Sequence, residues 1–256
     1  MTEAKTETKT EPVGLPDGAV LPSTALVTGA NRGLGAEVAR QLAALGSTVF
    51  LGSRDLAKGE EAAAEIEGDV RVVEIDVTDD DSVADAAKSV ASEVDHLDVL
   101  VNNAGGNFDF AHAVLGSDVS LVGEILDSNC LGAMRCVNSF LELLSSSPAA
   151  RIVNVTSEAG SHGGAMGLAT QKDNLAGYAI GKAAQNAYTR KLASALEDTS
   201  ILVNAISPGF VATQPGTEAM GGRPVPDGAR SIVWGATLPV DGPSGGFFRD
   251  GEPVEF

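Results

Sequence analysis

The fold is decided at Thr28-Gly29-Ala30-Asn31-Arg32-Gly33-Leu34-Gly35, which joins the apolar run Ala25–Thr28 to the amphipathic helical pattern Leu34–Leu45. Glycines at such a strand-to-helix turn let the backbone bend tightly and approach a pyrophosphate. The helix N-terminus then offers free N–H groups and a partial positive charge to the phosphates. Three glycines also occur in tight turns that bind nothing. The position directly after the first strand, together with Asn31 and Arg32, favours a dinucleotide-binding turn.

Short apolar runs alternate with amphipathic stretches along the rest of the chain. Runs rich in Val, Ile and Leu are typical of strands buried on both faces, and their alternation with helices predicts a parallel sheet covered on both sides. We therefore predict one doubly wound α/β domain over residues 23–256, after a flexible tail over residues 1–22. The predicted strands are Ala25–Thr28, Thr48–Leu51, Val70–Ile75, Val99–Val101, Arg151–Val155, Ile201–Ile206 and one late strand; the predicted helices are Leu34–Leu45, Leu56–Glu67, Asp81–Val94, Leu121–Leu144 and Ala176–Leu196.

The composition argues against several classes of partner. A net charge of −18 over 256 residues repels nucleic acid and anionic membranes. No apolar run is long enough to span a bilayer, and the N-terminus lacks the apolar stretch of a secretory signal, so we expect a cytoplasmic protein. Cys130 and Cys136 fit neither a zinc-site nor a disulfide spacing, and no metal site is predicted. Either a salt-adapted host or a generally acidic proteome would explain the excess of acidic residues.

The end of the second predicted strand indicates which nicotinamide cofactor is bound. Sites for NAD place a carboxylate there to hold the ribose 2′-hydroxyl. This chain has Ser53 and Arg54 instead, and an arginine pairs with a 2′-phosphate as a planar fork. Together with Arg32, this favours NADP(H). Asp55 follows directly and weakens the argument, but we expect it to cap the next helix.

Tyr178 and Lys182 lie four residues apart on a predicted helix and therefore on one face. A nearby ammonium would lower the pKa of the phenol and make it a usable acid and base; an ordinary surface pair is the alternative. Thr156-Ser157 and Asn102-Asn103-Ala104-Gly105 close two predicted strands at the edge where parallel sheets bind ligands. Asn129 lies inside a helical pattern, an unfavourable place for asparagine unless its side chain has a role.

These motifs, taken in order, resemble the short-chain dehydrogenase/reductase family. The resemblance covers about residues 22–250 and rests on the whole ordered set, which is far more specific than any single motif. It implies a Rossmann-type sheet of seven strands, mostly parallel, with helices on both faces. The matching motifs are the TGANRGLG turn, Asp76-Val77, NNAG at 102–105, Asn129, Ser157, Tyr178-x-x-x-Lys182 and Pro208-Gly209.

The resemblance assigns catalytic roles to four residues. Tyr178 would protonate the carbonyl oxygen as hydride arrives from the nicotinamide. Lys182 would bind the nicotinamide ribose and lower the pKa of Tyr178. Ser157 would hydrogen-bond the substrate oxygen, and Asn129 would hold a water that refills the proton relay.

The resemblance also implies the set of residues that contact NADP(H). Residues 76 and 77 would flank the adenine, residues 103–105 would line the cofactor, and residues 208–213 would cover the nicotinamide side. The full cofactor set is Gly29, Asn31, Arg32, Gly33, Leu34, Gly35, Ser53, Arg54, Asp76, Val77, Asn103, Ala104, Gly105, Tyr178, Lys182, Pro208, Gly209, Val211 and Thr213.

One departure from the family concerns the spacing between Ser157 and Tyr178, which are separated by twenty residues where the family has fewer. The extra segment lies within Gly160–Ala176, beside the active-site mouth and beside the helix through which many relatives dimerise. An insertion at this place is similar to that of monomeric carbonyl reductases. A monomer or homodimer is therefore expected in preference to a tetramer.

The C-terminal region narrows the expected substrates, because Asp227–Arg230, Ala236–Pro239 and Ser244–Asp250 resemble the carbonyl-reductase-like members. The expected activity is the NADPH-dependent reduction of a ketone, aldehyde or quinone. An NADP-dependent secondary-alcohol dehydrogenase and a non-catalytic nucleotide-binding protein are the alternatives. Both Tyr178 and Lys182 are present, which argues against the latter. Four apolar residues indicate either an apolar pocket or plain core: Phe108, Phe110, Met166 and Met220. His112 and His162 either contact substrate or, as we favour, are solvated loop histidines.

Overall fold

The apolar runs form one sheet in a computed structural model that describes residues 14–105, 114–163, 166–170 and 175–256. The strand order is β3-β2-β1-β4-β5-β6-β7-β8. Neighbouring strands are parallel from β3 to β7, and β8 pairs antiparallel with β7. The strands are β1 Thr24–Val27, β2 Thr48–Ser53, β3 Val70–Glu74, β4 Val99–Asn102, β5 Arg151–Val155, β6 Leu202–Ile206, β7 Phe247–Arg249 and β8 Glu252–Pro253.

Helices cover both faces of this sheet. Alternate residues of a strand point to opposite faces, so Leu26 joins an apolar cluster with α3 and α5, whereas Val27 joins a second cluster with α1 and α7. Both faces are therefore buried, which confirms the doubly wound α/β fold. The helices are α1 Gly33–Ala44, α2 Leu56–Ala64, α3 Asp80–Ala91, α4 Val119–Leu126, α5 Gly132–Ser146, α6 Ala176–Ala195 and α7 Val225–Ala236.

The strand order reverses at β1, which lies between β2 and β4. The connections on either side of this point leave in opposite directions, so a crevice opens at the carboxyl ends of β1 and β4. The TGANRGLG turn follows β1 and the NNAG motif closes β4. The fold thus places both motifs at the crevice.

The structure differs from the prediction at two segments. The helix predicted over Leu121–Leu144 is divided by a π-helical segment, Asp127–Leu131. Asn129 within it donates from Nδ2 to the backbone oxygen of Ile125 at 2.9 Å, and such a bond competes with the regular helical pattern. Strand β8 was also not predicted; it is a two-residue edge strand beyond β7.

The N-terminal stretch predicted as a tail is described from residue 14 onwards, and its described part contacts the domain. The amide of Val20 donates to the backbone oxygen of Thr237 at 3.0 Å. The Ser47 hydroxyl donates to the backbone oxygen of Pro22 at 2.7 Å. Residues 14–22 are therefore tied to the domain, and residues 1–13 lie outside the described residues.

Candidate active site

The glycine-rich turn and the NNAG motif are joined through Thr28. Its hydroxyl accepts from the backbone amides of Asn103 at 3.1 Å and Ala104 at 3.0 Å. In return, Asn103 Nδ2 donates to the backbone oxygens of Thr28 at 2.8 Å and Gly29 at 3.1 Å. Side chains near the ends of β1 and β4 thus hold the two loops as one unit at the crevice.

Two glycines of this turn are required by close packing. Gly29 has a φ of +63°, and a Cβ there would lie 2.9 Å from Ala104 Cα. A Cβ on Gly35 would lie 2.5 Å from Asn103 Nδ2. Any larger residue would push the turn away from the NNAG motif. These glycines therefore let the turn pack directly on the NNAG motif.

The N-terminus of α1 has the features of an anion site. The helix begins at Gly33, and in the described part of the chain no side chain caps it, because the N-cap residue Arg32 makes no such bond. Uncapped N–H groups and the positive end of the helix dipole attract a phosphate. These residues fit a dinucleotide diphosphate. The Leu34 side chain instead packs on the core, so only its backbone faces this site.

The turn at the end of β2 is fixed by the side chains of Ser53 and Asp55. The Ser53 hydroxyl donates to the backbone oxygen of Asp55 at 2.7 Å. Asp55 caps α2 by accepting from the Lys58 amide and pairs with the Lys58 ammonium at 2.8 Å. Its expected role as an N-cap is confirmed. The side chains of Arg54 and Arg32 are exposed, which leaves two guanidinium groups on this side of the crevice.

Asp76 and Val77 follow β3 on the same side. Burial would raise the pKa of Asp76, but hydrogen bonds from the amide and hydroxyl of Thr78 and the charge of Arg54 outweigh it, so the pKa is lowered. The carboxylate therefore stays ionised at neutral pH. Val77 is buried, and a Cβ on Gly132 would lie 2.9 Å from its Cγ2. The pair thus lies between β3 and the start of α5.

Ser157 and Tyr178 meet where β5 ends. The Ser157 hydroxyl accepts from the amide of Ala159 at 3.2 Å and so begins the 3-10 turn Glu158–Gly160. It also bonds the Tyr178 hydroxyl. A Cβ on Gly160 would lie 2.5 Å from the backbone of α6, so the turn packs tightly against that helix. This contact fixes Ser157 relative to Tyr178.

The acidities of Tyr178 and Lys182 are set by burial. Tyr178 is 9% exposed and Lys182 5% exposed. Burial raises the pKa of Tyr178 to about 12, and the hydrogen bond with Ser157 opposes it. Burial lowers the pKa of Lys182 to about 7. The sequence predicted a lowered pKa for the tyrosine; in the structure burial dominates, since Lys182 Nζ lies 5.8 Å from the ring centroid.

Asn129 lies fully buried in the π-helical segment, beside the NNAG motif. A Cβ on Gly105 would lie only 2.5 Å from Asn129 Oδ1. Within the described residues, Oδ1 has no hydrogen-bond partner. A buried acceptor of this kind ordinarily binds water or a ligand. The arrangement fits the expected role of Asn129 in holding a water.

The segment after β6 reaches back to the glycine-rich turn. A Cβ on Gly33 would lie 3.8 Å from Thr213 Cγ2. The buried Pro208 leads into this segment, followed by Gly209, which is half-buried and has a φ of +73°. Val211 forms a bridge with Arg223 that folds the segment back on itself, and its side chain packs on α7 at Gly228. The predicted residues 208–213 therefore cover one side of the crevice.

Several residues at the site were not predicted from the sequence. Glu158, next to Ser157, pairs with Arg249 of β7 at 2.7 Å. Gln185 accepts from Lys182 Nζ at 3.0 Å. Its position three residues after Lys182 on a helix was the signal available, since such residues share a face. The Glu158–Arg249 pair joins residues 91 positions apart, and no local pattern indicates it.

The pocket candidates are only partly described. Phe108, Phe110 and His112 lie outside the described residues. Met166 and Met220 are exposed, and neither belongs to the core. Of the inserted segment, residues 160–163, 166–170 and 175–176 are described. Its Gly163 lies close to the Glu255 carboxylate, at 3.2 Å from a Cβ placed there. The insertion is thus in contact with the C-terminal residues.

Comparisons with known proteins agree with this geometry. The family model of the short chain dehydrogenases matches residues 23–220. Short-chain dehydrogenase/reductase 1 of Saponaria officinalis is 33% identical, over 91% of this chain and 95% of the relative. The (+)-neomenthol dehydrogenase of Arabidopsis thaliana is 32% identical, over 92% and 98%. The crystal structure of NADPH-bound carbonyl reductase from chicken fatty liver superposes with a TM-score of 0.79 at 26% identity, over 93% and 100%.

The chain belongs to the short-chain dehydrogenase family, among the members that resemble carbonyl reductases. It is an oxidoreductase of a family that uses nicotinamide cofactors and whose related members act on carbonyl and alcohol groups. In the described parts of the chain, no helix combines the length and apolar character that crossing a membrane requires.

Proposed function

We propose that the protein reduces a ketone, aldehyde or quinone to the alcohol with NADPH, with Tyr178 as the proton donor. The observation that carries this proposal is the cluster of the half-buried Ser157 with the buried Tyr178 and Lys182, at the same edge of the sheet as the uncapped N-terminus of α1. A nicotinamide cofactor bound there would supply the hydride for the carbonyl carbon. The protein then has to orient the carbonyl and deliver one proton to its oxygen.

Tyr178 suits the reductive direction. Since burial raises the pKa of its phenol to about 12, the hydroxyl is protonated at neutral pH and can donate. Ser157, which bonds Tyr178, holds the carbonyl oxygen within reach of that hydroxyl. The phenolate that remains lies near the Lys182 ammonium, which stabilises it. Asn129 holds the water that returns a proton to the relay.

NADP(H) is supported by charge around the end of β2. Arg54 and Arg32 are exposed and can pair with a 2′-phosphate. Asp55, whose carboxylate would repel that phosphate, is engaged as the cap of α2 and by Lys58. The carbonyl reductase from chicken fatty liver, which binds NADPH, has the same fold. These observations favour NADPH over NADH.

An NADP-dependent alcohol dehydrogenase is the second candidate, because the same groups catalyse both directions. The relatedness to (+)-neomenthol dehydrogenase supports it. In that direction Tyr178 must first lose its proton, which its raised pKa opposes. A non-catalytic nucleotide-binding protein is disfavoured, because Ser157, Tyr178 and Lys182 are all present and Ser157 bonds the Tyr178 hydroxyl.

A substrate panel tests the proposal. Ketones, aldehydes and quinones are mixed with the protein and NADPH, and loss of NADPH absorbance is followed; secondary alcohols with NADP⁺ form the reverse arm. We expect at least one carbonyl class to be reduced, faster with NADPH than with NADH. Activity confined to the alcohol arm would favour the dehydrogenase, and binding of NADPH without turnover in either arm would contradict an enzymatic function. A cytoplasmic location and a monomeric or dimeric state stay predictions.

A further inference from the structure

Helix α6 buries an unusual number of polar side chains on the face that carries Lys182. Gln185, Asn186 and Thr189 are each no more than 3% exposed. Burying polar groups costs free energy unless they find partners. Asn186 accepts from the Thr156 hydroxyl, and Thr189 accepts from Asn154 Nδ2. Gln185 differs from both, because its side-chain partner is the lysine of the active site.

The orientation of the Gln185 amide follows from chemistry. An ammonium can only donate, so the amide turns Oε1 toward Lys182 Nζ, at 3.0 Å. Nε2 is then buried, and within the described residues it has no hydrogen-bond partner. A buried unpaired donor is destabilising. Leucine, with nearly the same volume, would avoid that cost, so stability alone does not explain a glutamine here.

We propose that Gln185 is a positioning residue for Lys182, whose ammonium it fixes and keeps charged beneath the Tyr178 ring. The inference deepens the proposed function and rests on it. The backbone oxygen of Val155 accepts a second bond from Nζ at 2.8 Å. Two of the three N–H donors are thereby directed into the protein. In the described residues Nζ makes no third hydrogen bond, so one N–H would remain for a bound cofactor.

The charges around Lys182 leave the stabilisation of its ammonium to neutral groups. Among the described residues, the titratable side chains that face it are Tyr178 on its own helix and the Cys130 thiol of the π-helical segment. Burial raises the pKa of both, so both are neutral at pH 7. The adjoining 3-10 turn contributes Glu158, whose carboxylate is engaged in an ion pair. The oxygens of Gln185 and Val155 therefore provide the negative partial charge that holds the ammonium.

The test is a titration of Lys182 in the protein with lysine labelled at Cε with ¹³C. The NMR signal that disappears in Lys182→Met identifies the residue. In Gln185→Leu we expect the pKa of Lys182 to fall by about one pH unit, since a hydrogen bond to a charged group is lost. The alkaline limb of kcat should move to lower pH by a similar amount. The melting temperature should hold or rise, because the unpaired Nε2 is removed.

Thr189→Val is the matched control. It removes a buried polar group one turn further along the same face, so it should lower stability without moving the titration of Lys182. Gln185→Glu should raise the pKa of Lys182 and provides the opposite shift if the leucine variant folds poorly. An unchanged titration in the folded Gln185 variants, or an equal shift in Thr189→Val, would overturn the proposal. The titration needs no substrate, so a shift in a protein that reduces no carbonyl would separate this inference from the proposed function.

Discussion

The cofactor side and the substrate side of the crevice are built in different ways. The cofactor side, formed by the loops after β1 and β4, is held by short contacts to the backbone, made by the Thr28 and Asn103 side chains and allowed by glycine. Thr28 bonds the amides of residues 103 and 104, and Gly29 allows a close approach to Ala104. The substrate side, formed by the ends of β5, β6 and β7, is held by ion pairs between distant residues, Glu158 with Arg249 and Arg223 with Asp250.

This difference explains why the cofactor side can be predicted from the sequence and the substrate side cannot. Close contacts to the backbone at a tight turn require glycine and small residues at fixed positions. The same sequence motif therefore occurs wherever this geometry occurs. Ion pairs between side chains far apart in sequence can be made by many combinations of residues. The cofactor half therefore predicts a general property, dinucleotide binding. The substrate half determines the particular reaction and must be tested residue by residue.

The largest effect is expected where the two halves meet, at Lys182. Lys182→Met removes the ammonium that lies 5.8 Å from the centroid of the Tyr178 ring, and kcat should fall by about 10²- to 10⁴-fold, as for loss of an acid–base group. The free energy of unfolding should rise in Lys182→Met, whereas kcat falls. The pKa of Lys182 in the folded protein, about 7, lies below the ordinary lysine pKa of 10.5, so the unfolded chain binds more protons between these values. Stability of the unchanged protein should rise with pH in this window.

Urea unfolding at several pH values checks this second part. In Lys182→Met the rise attributed to Lys182 should be absent. If kcat were unchanged while the stability profile moved, Lys182 would be a buried structural group and the two halves would not meet there.

Gly29→Ala tests the cofactor side. The new Cβ would lie 2.9 Å from Ala104 Cα at a φ of +63°. Overpacking of this kind costs about 1–3 kcal/mol, so the Kd for NADPH should rise by about 10- to 100-fold. Gly46→Ala is the matched control, because its φ is +94° and nothing lies within 4 Å of the new atom. It should lose stability but bind NADPH normally. Equal binding losses in both variants would contradict the close-contact explanation.

Arg54→Ala tests cofactor choice. Loss of a charge-assisted hydrogen bond costs about 1.5–3 kcal/mol, so KM for NADPH should rise by about 10- to 100-fold while KM for NADH changes little. Arg40→Ala, which removes an exposed guanidinium on α1 that pairs with Glu37, serves as the control. Similar changes for both cofactors in Arg54→Ala would remove the argument for a 2′-phosphate.

Arg249→Gln tests the substrate half and should have the smallest effect. Arg249 is half exposed, and an ion pair of this kind contributes about 0.2–1 kcal/mol. KM for the carbonyl substrate should rise a few-fold at most, with KM for NADPH unchanged, because Glu158 adjoins Ser157. Steady-state kinetics with each substrate varied separately distinguish the two. An effect on NADPH alone would show that the division into two halves is wrong.

Most of the fold was predictable, because buried parallel strands and amphipathic helices leave strong periodic patterns. The positions of Gly29, Ser157 and Tyr178 followed from motifs whose spacing the fold enforces. The π-helical segment around Asn129 was not predictable. The sequence does not show whether the asparagine side chain bonds back to the Ile125 backbone oxygen or lies in a regular helix. The raised pKa of Tyr178 was missed since burial depends on packing from distant segments.

The most direct test of carbonyl reduction through Tyr178 is Tyr178→Phe, with NADPH binding and carbonyl turnover measured on the same preparation. The phenyl ring keeps the packing and removes only the hydroxyl that bonds Ser157. We expect the Kd for NADPH to be unchanged and kcat to fall by about 10²- to 10⁴-fold. Full turnover in this variant, with NADPH binding intact, would contradict the assignment of Tyr178 as the proton donor.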